Sequence, residues 1–162
     1  MAVELGAILV PMVTPFDAGG RVDEEATVRL MHHLVEQGAD GLVLAGTTGE
    51  AATLSDQEQL DLIGLAVREV GDRCTVVAGV GSNDTRHAVY LTEKASELGP
   101  DALLSVNPYY NRPSRRGIIR HFEEVDRAPT SRSCSTTSPS APGPTCPTTC
   151  WPSWPSSSTW SA

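Results

Sequence analysis

GLVLAGTTGEAATLSDQEQLDLIGLAVREV, residues 41–70, runs through a strand, a turn and a helix without interruption. The first five letters are apolar or glycine, as a parallel strand covered on both faces requires. A polar, glycine-rich segment follows, Gly46-Thr47-Thr48-Gly49-Glu50. Ser55 and Glu58 then stand three apart, the spacing of a capping box, in which each side chain satisfies a backbone N–H of the other. Leu60, Leu62, Ile63 and Val67 continue with helical period until Gly71. Residues 41–70 are therefore one βα unit.

The same unit recurs on both sides. AILVPMVT at 7–14, closed by Pro15, TVVAGV at 75–80 and ALLSV at 102–106 are further apolar runs. Helical period marks 23–37, with Val28, Met31, Leu34 and Val35, and again 84–98, while Gly38 and Gly99 close these stretches. A fourth helix is predicted over 115–126. Such alternation implies right-handed crossovers and a parallel sheet. Four βα units in residues 1–127 are half of a (β/α)8 barrel, which takes roughly 250 residues. A small doubly wound sheet fits the same count.

Composition bounds the function. With 162 residues, 40% of them apolar, the chain suits one soluble domain, and it holds no apolar run of the roughly 18 residues a membrane span needs. The net charge of -8 is the wrong sign for a phosphate backbone or an anionic bilayer, so neither nucleic acid nor membrane is expected as a partner. No targeting pattern opens the sequence, which predicts a cytoplasmic protein. Every Asp and Glu lies between Glu4 and Asp126. Residues 128–162, by contrast, hold ten Ser, seven Thr and seven Pro, with Arg132 as the only charge. That tail has no period and too many prolines for a ladder or helix, so it is predicted to be disordered and to offer no strand to an open sheet edge. Its Cys134, Cys146 and Cys150 lack metal-ligand spacing, and no metal is expected. Cys74 reads as a buried thiol. His32, His33, His87 and His121 lie in helical stretches with no consistent partner.

The polar segments at 46–50, 81–84 and 107–113 all follow strands, and parallel α/β proteins place their active sites on that face. Around Thr47 and Thr48, backbone N–H groups and two hydroxyls can converge on a small anion such as a carboxylate. A tight strand-to-helix connection explains the same letters equally well. No lysine follows the second glycine, which disfavours a phosphate loop. Tyr109 and Tyr110, in a proline-flanked loop, serve either packing or proton transfer. Adjacent aromatics are not a core period, which favours the second.

Three strings carry a resemblance: GTTGEAATLSDQE at 46–58, VVAGVGSNDT at 76–85 and NPYYNRPSRRG at 107–117. Over about residues 5–127 the sequence resembles the 4-hydroxy-tetrahydrodipicolinate synthase family, also called dihydrodipicolinate synthases. GTTGE is shared with sialic acid lyases and 2-keto-3-deoxy sugar acid aldolases, whereas Tyr-Tyr-Asn-Arg-Pro is more selective. The resemblance implies a (β/α)8 TIM barrel, a homotetramer and a lyase without a cofactor. Its reaction condenses pyruvate with aspartate semialdehyde through a lysine Schiff base, in the diaminopimelate route to lysine. It implies that Thr47 and Tyr110 form a proton relay, with Tyr110 lent across a subunit interface, and that Thr48 holds the pyruvate carboxylate. Asn83 and Tyr109 match positions that bind feedback lysine, and the family's acidic residue beside them is His87 here.

Schiff-base chemistry needs an amine that attacks the ketone. Lys94 is the only lysine, and with Glu93 and Glu97 beside it in a helical stretch it reads as a solvated surface charge. The family's Tyr-Asn-Ile/Val-Pro-x-Arg-Thr-Gly motif does not occur. The nucleotides beneath the tail can nonetheless encode it. Residues 134–139 (CSTTSP), written TGC TCT ACA ACA TCC CCG, read from the third base as Leu-Tyr-Asn-Ile-Pro. In the same register residues 140–143 permit Arg-Thr-Gly and residues 150–154 permit Leu-Ala-Glu-Leu. The tail thus reads as out-of-frame translation beginning near Ala128, and the truncated chain is expected to be inactive. The competing expectations are another pyruvate-dependent aldolase or lyase, or a non-catalytic fragment.

Overall fold

The apolar runs fold as parallel strands in the computed structural model, which describes residues 5–128 and 135–138. Strands β1 (Leu9–Pro11), β2 (Gly41–Leu44), β3 (Thr75–Gly79) and β4 (Ala102–Val106) lie side by side in chain order, each pair parallel. Helices α1 (Glu24–Glu36), α2 (Asp56–Val70) and α3 (Thr85–Glu97) connect them, and α4 (Arg115–Asp126) follows β4. A doubly wound sheet reverses its winding at a switch point and so puts neighbours out of sequence. Here every strand pairs with the next, which is the progression of a barrel wall.

Local chemistry sets the ends of these elements. Asp23 accepts the N–H of Ala26 at 2.9 Å to start α1, and the Ser55–Glu58 capping box is formed at the start of α2. Gly38 and Gly99 close α1 and α3 with φ of 95° and 82°, where a Cβ would be strained. Gly71 closes α2 differently, in the right-handed region at φ −66°. The first strand is shorter than its apolar run, because Asp40 Oδ2 takes the N–H groups of both Ala7 and Ile8 at 2.8 Å and holds the entering chain.

Alternation along the strands produces two faces. Leu42, Leu44, Val76, Ala78 and Leu103 pack with Met31, Ile63, Ala66, Val70 and Leu91 of the helices, forming the main core. Each of the larger side chains among them, from Val to Met, contributes roughly 1.5–3 kcal/mol when fully buried. Val43, Val77 and Ala102 point the other way, joined by Leu5, Leu9 and Leu104 in a smaller cluster. One approach is closer than any side chain tolerates: a Cβ at Gly79 would stand 2.1 Å from the carbonyl oxygen of Ala45.

The expectation of a disordered tail fails for four residues. Ser135–Ser138 form β5, parallel to β4, with Leu103 opposite Ser135 and Val106 opposite Ser138. The edge of β4 presents a row of unpaired backbone groups, and residues 130–138 contain no proline to interrupt pairing. The rest of that expectation lies outside the described residues. Among the described residues, no helix is long and apolar enough to cross a membrane.

Candidate active site

Past β2 the chain turns sharply. Ala45 and Glu50 adopt φ of 51° and 55°, left-handed values that non-glycine residues take only when held there. The turn between them is closed by Glu50 N–H to Thr47 O at 3.2 Å and Ala51 N–H to Gly46 O at 3.3 Å. It is fixed to the chain beyond β1 by the buried Thr14 hydroxyl, which donates to Gly49 O at 2.7 Å. Gly49 eases that approach, since a Cβ there would lie 3.1 Å from Met12 O, a tight contact. Thr47 and Thr48 stand exposed at the tip. Thr14 escaped sequence reasoning, although a threonine directly before Pro15 at the end of an apolar run was the available signal.

Beyond β3, Ser82 is buried and Asn83 half-buried. Asp84 caps α3 by accepting Arg86 N–H at 2.9 Å, and that bond holds its carboxyl below the usual range. His87 bridges two elements: its Nδ1 lies 3.1 Å from Ser82 Oγ and its Nε2 2.9 Å from Asp56 Oδ1 at the start of α2. After β4 the loop carries Tyr109, 45% exposed, and Tyr110, 93% exposed with φ 66°. Asn111 donates from Nδ2 to Asn83 O and accepts from Asn83 Nδ2, both at 3.0 Å. A shallow cleft lined by Asn83, Asp84, Thr85, Arg86 and Asn111 opens beside this pair.

Thr47, Thr48, Asn83, Tyr109 and Tyr110 therefore all sit in loops beyond the C-terminal ends of the strands. Only the Asn83 loop and the tyrosine loop are directly bonded; among the described residues, no hydrogen bond joins Tyr110 to Thr47. Lys94 lies elsewhere, on α3, and its ammonium donates to Glu97 Oε1 and Oε2 at 2.9 and 3.1 Å. That hydrogen-bonded carboxylate raises the pKa of the amine, the opposite of what a nucleophilic lysine requires.

Three histidines do have partners, contrary to the sequence reading. Besides His87, His32 contacts Arg73 at 3.1 Å and Glu69 at 3.4 Å, and His121 Nδ1 meets Thr85 Oγ1 at 2.9 Å. These contacts reach outside the histidine's own helix, to another helix or to a loop, which is why spacing within one helix hid them. Cys74, expected to be buried, is half-buried directly before β3, and burial raises its thiol pKa. Among the described residues, no cluster of His, Cys, Asp or Glu is arranged to hold a metal.

The profile of the dihydrodipicolinate synthetase family matches residues 4–132. A 4-hydroxy-tetrahydrodipicolinate synthase of Corynebacterium diphtheriae is 50% identical over 125 residues, covering 77% of this chain and 42% of that protein. Among solved structures, a dihydrodipicolinate synthase from Bacillus anthracis superposes with a TM-score of 0.79 at 39% identity, over 83% of this chain and 46% of the other. A chloride-inhibited dihydrodipicolinate synthase from Acinetobacter baumannii, complexed with pyruvate, gives 0.78 at 37% identity, over 82% and 45%. The chain spans less than half the length of these relatives.

Proposed function

Because the chain belongs to the dihydrodipicolinate synthetase family, we propose that residues 1–127 are the N-terminal half of a lyase that condenses pyruvate with aspartate semialdehyde to 4-hydroxy-tetrahydrodipicolinate. The observation that carries this reading is the placement of Thr47 and Thr48 beyond the C-terminal end of β2 and of Tyr109 and Tyr110 beyond that of β4, parallel strands of one sheet. In it Thr48 and the neighbouring backbone N–H groups hold the pyruvate carboxylate, while Thr47 and Tyr110 pass protons during formation and breakdown of the Schiff base. The exposure of Tyr110 supports its service to a neighbouring subunit within a homotetramer. Asn83 and Tyr109 belong to a regulatory site for lysine.

The amine is supplied by the missing half. Lys94 is ion-paired on α3, and the family profile ends at residue 132, close to where the composition changes. These two facts support reading residues 128–162 as out-of-frame translation and the 162-residue chain as inactive. Restoring the frame near Ala128 is expected to recover condensation of pyruvate with aspartate semialdehyde. In that enzyme Thr47→Val and Tyr110→Phe each lower turnover by roughly ten- to a thousandfold, the scale of lost proton transfer. Unchanged turnover in both variants overturns the relay. A preference of the restored enzyme for sugar-acid aldehydes favours an aldolase of the same superfamily instead.

A further inference from the structure

We propose that Asn111 is the positioning residue of the loop carrying Tyr109 and Tyr110, acting through a reciprocal amide clasp with Asn83, and that the clasp aims Tyr110 for proton transfer. The second half of this proposal rests on the assignment of Tyr110 to the relay.

The loop needs something to hold it. Tyr110 and Arg112, the neighbours of Asn111 on either side, adopt φ of 66° and 45°. Such values persist in non-glycine residues only where the surroundings fix them. Burial does not do so, because Tyr109 is 45% and Tyr110 93% exposed. Asn111 does. Its N–H closes a local turn on Tyr109 O at 2.8 Å. Its side-chain nitrogen donates to Asn83 O and its side-chain oxygen accepts from Asn83 Nδ2, each at 3.0 Å, so both ends of the amide are used. Among the described residues, these two are the only hydrogen bonds that tie residues 108–112 to the rest of the protein.

The other half of the clasp is rigid. Asn83 is held between Ser82, 5% exposed, and Asp84, the cap of α3. Ser82 Oγ accepts the N–H of Asp84 at 3.2 Å and meets His87 Nδ1 at 3.1 Å, while His87 Nε2 reaches Asp56 at the start of α2. The end of β3 and two helix N-termini thereby anchor Asn83. A strained, solvent-exposed loop acquires a defined direction from a fixed point in the wall.

The test uses the 162-residue chain labelled with 3-fluorotyrosine, whose three fluorine signals arise from Tyr90, Tyr109 and Tyr110 and are assigned by single Tyr→Phe changes. Asn111→Ala, which loses both bonds, is expected to move the Tyr109 and Tyr110 signals towards that of free tyrosine and to sharpen them, leaving Tyr90 on α3 in place. Asn83→Ala keeps the backbone carbonyl as an acceptor and should move the same two signals less. If Asn111→Ala also displaces Tyr90, then Asn111→Asp, which retains the acceptor, decides by the same pair of signals. Unmoved Tyr109 and Tyr110 signals, or an effect of Asn83→Ala as large as that of Asn111→Ala, overturn the clasp. In the frame-restored enzyme Asn111→Ala should lower kcat about ten- to a hundredfold at unchanged KM for pyruvate, as misaimed catalytic groups do. Moved fluorine signals with unchanged kcat overturn the aiming role alone. Unchanged turnover in Tyr110→Phe locates the failure in the relay assignment rather than in the clasp.

Discussion

Lys94 illustrates how a side chain's surroundings settle its chemistry. A lysine that attacks a ketone must be neutral at the moment of reaction, and enzymes obtain this by burial or by a neighbouring cation. Lys94 has the reverse: a carboxylate at 2.9 Å that stabilises its charge, on a helix face open to water. Incubation of the chain with pyruvate and borohydride is therefore expected to leave the intact mass unchanged. A pyruvyl adduct on Lys94 would contradict this. At the same scale, the placement of Thr47, Thr48, Tyr109 and Tyr110 in loops after strands was legible in the sequence, because each sits in a polar break directly after an apolar run. The Asn83–Asn111 contact was not, since its partners are 28 residues apart and meet only through the curl of two irregular loops. Asp56 and His87, 31 apart, were hidden for the same reason.

Helix α4 is the element whose stability should respond to pH. His121 on it is 2% exposed, with Nδ1 on Thr85 of α3 and Nε2 buried without a partner among the described residues. Burial disfavours the imidazolium and lowers the pKa below the ordinary value of 6.5. With the folded pKa depressed, the unfolded chain binds the proton first as pH falls. The contribution is therefore complete above about pH 6.5 and declines as pH drops from there towards the folded pKa. Urea midpoints measured at pH 7.5 and 5.5 should fall with acidity, and the fall should shrink in His121→Gln. An equal fall in the variant would assign the effect to other groups. The element boundaries themselves were largely readable: α4 occupies the predicted 115–126, and α2 begins on its predicted cap. β5 was unreadable because Ser-Thr-Thr-Ser has no apolar alternation, and its pairing comes from the edge of β4 rather than from its own letters.

At the scale of the sheet, one edge is open among the described residues. There β1 is paired only to β2, and the residues flanking it, Ile8 and Val13, are 59% and 52% exposed. An unpaired parallel edge with apolar flanks recruits further strands. The chain is expected to self-associate, and Val13→Lys should shift its sedimentation towards monomer by placing a charge beside that edge. A wild-type monomer that unfolds in one steep transition would refute this. Gly79 bears on the history of the gene as well as on the wall it helps to build. Any replacement there collides with Ala45 at a distance no repacking relieves, so its codon tolerates drift less than almost any other while the protein is under selection. On the proposed out-of-frame reading of residues 128–162, substitutions at codon 79 among sister isolates that share those residues would mark a lineage long released from purifying selection, and an unbroken glycine would date the shift as recent.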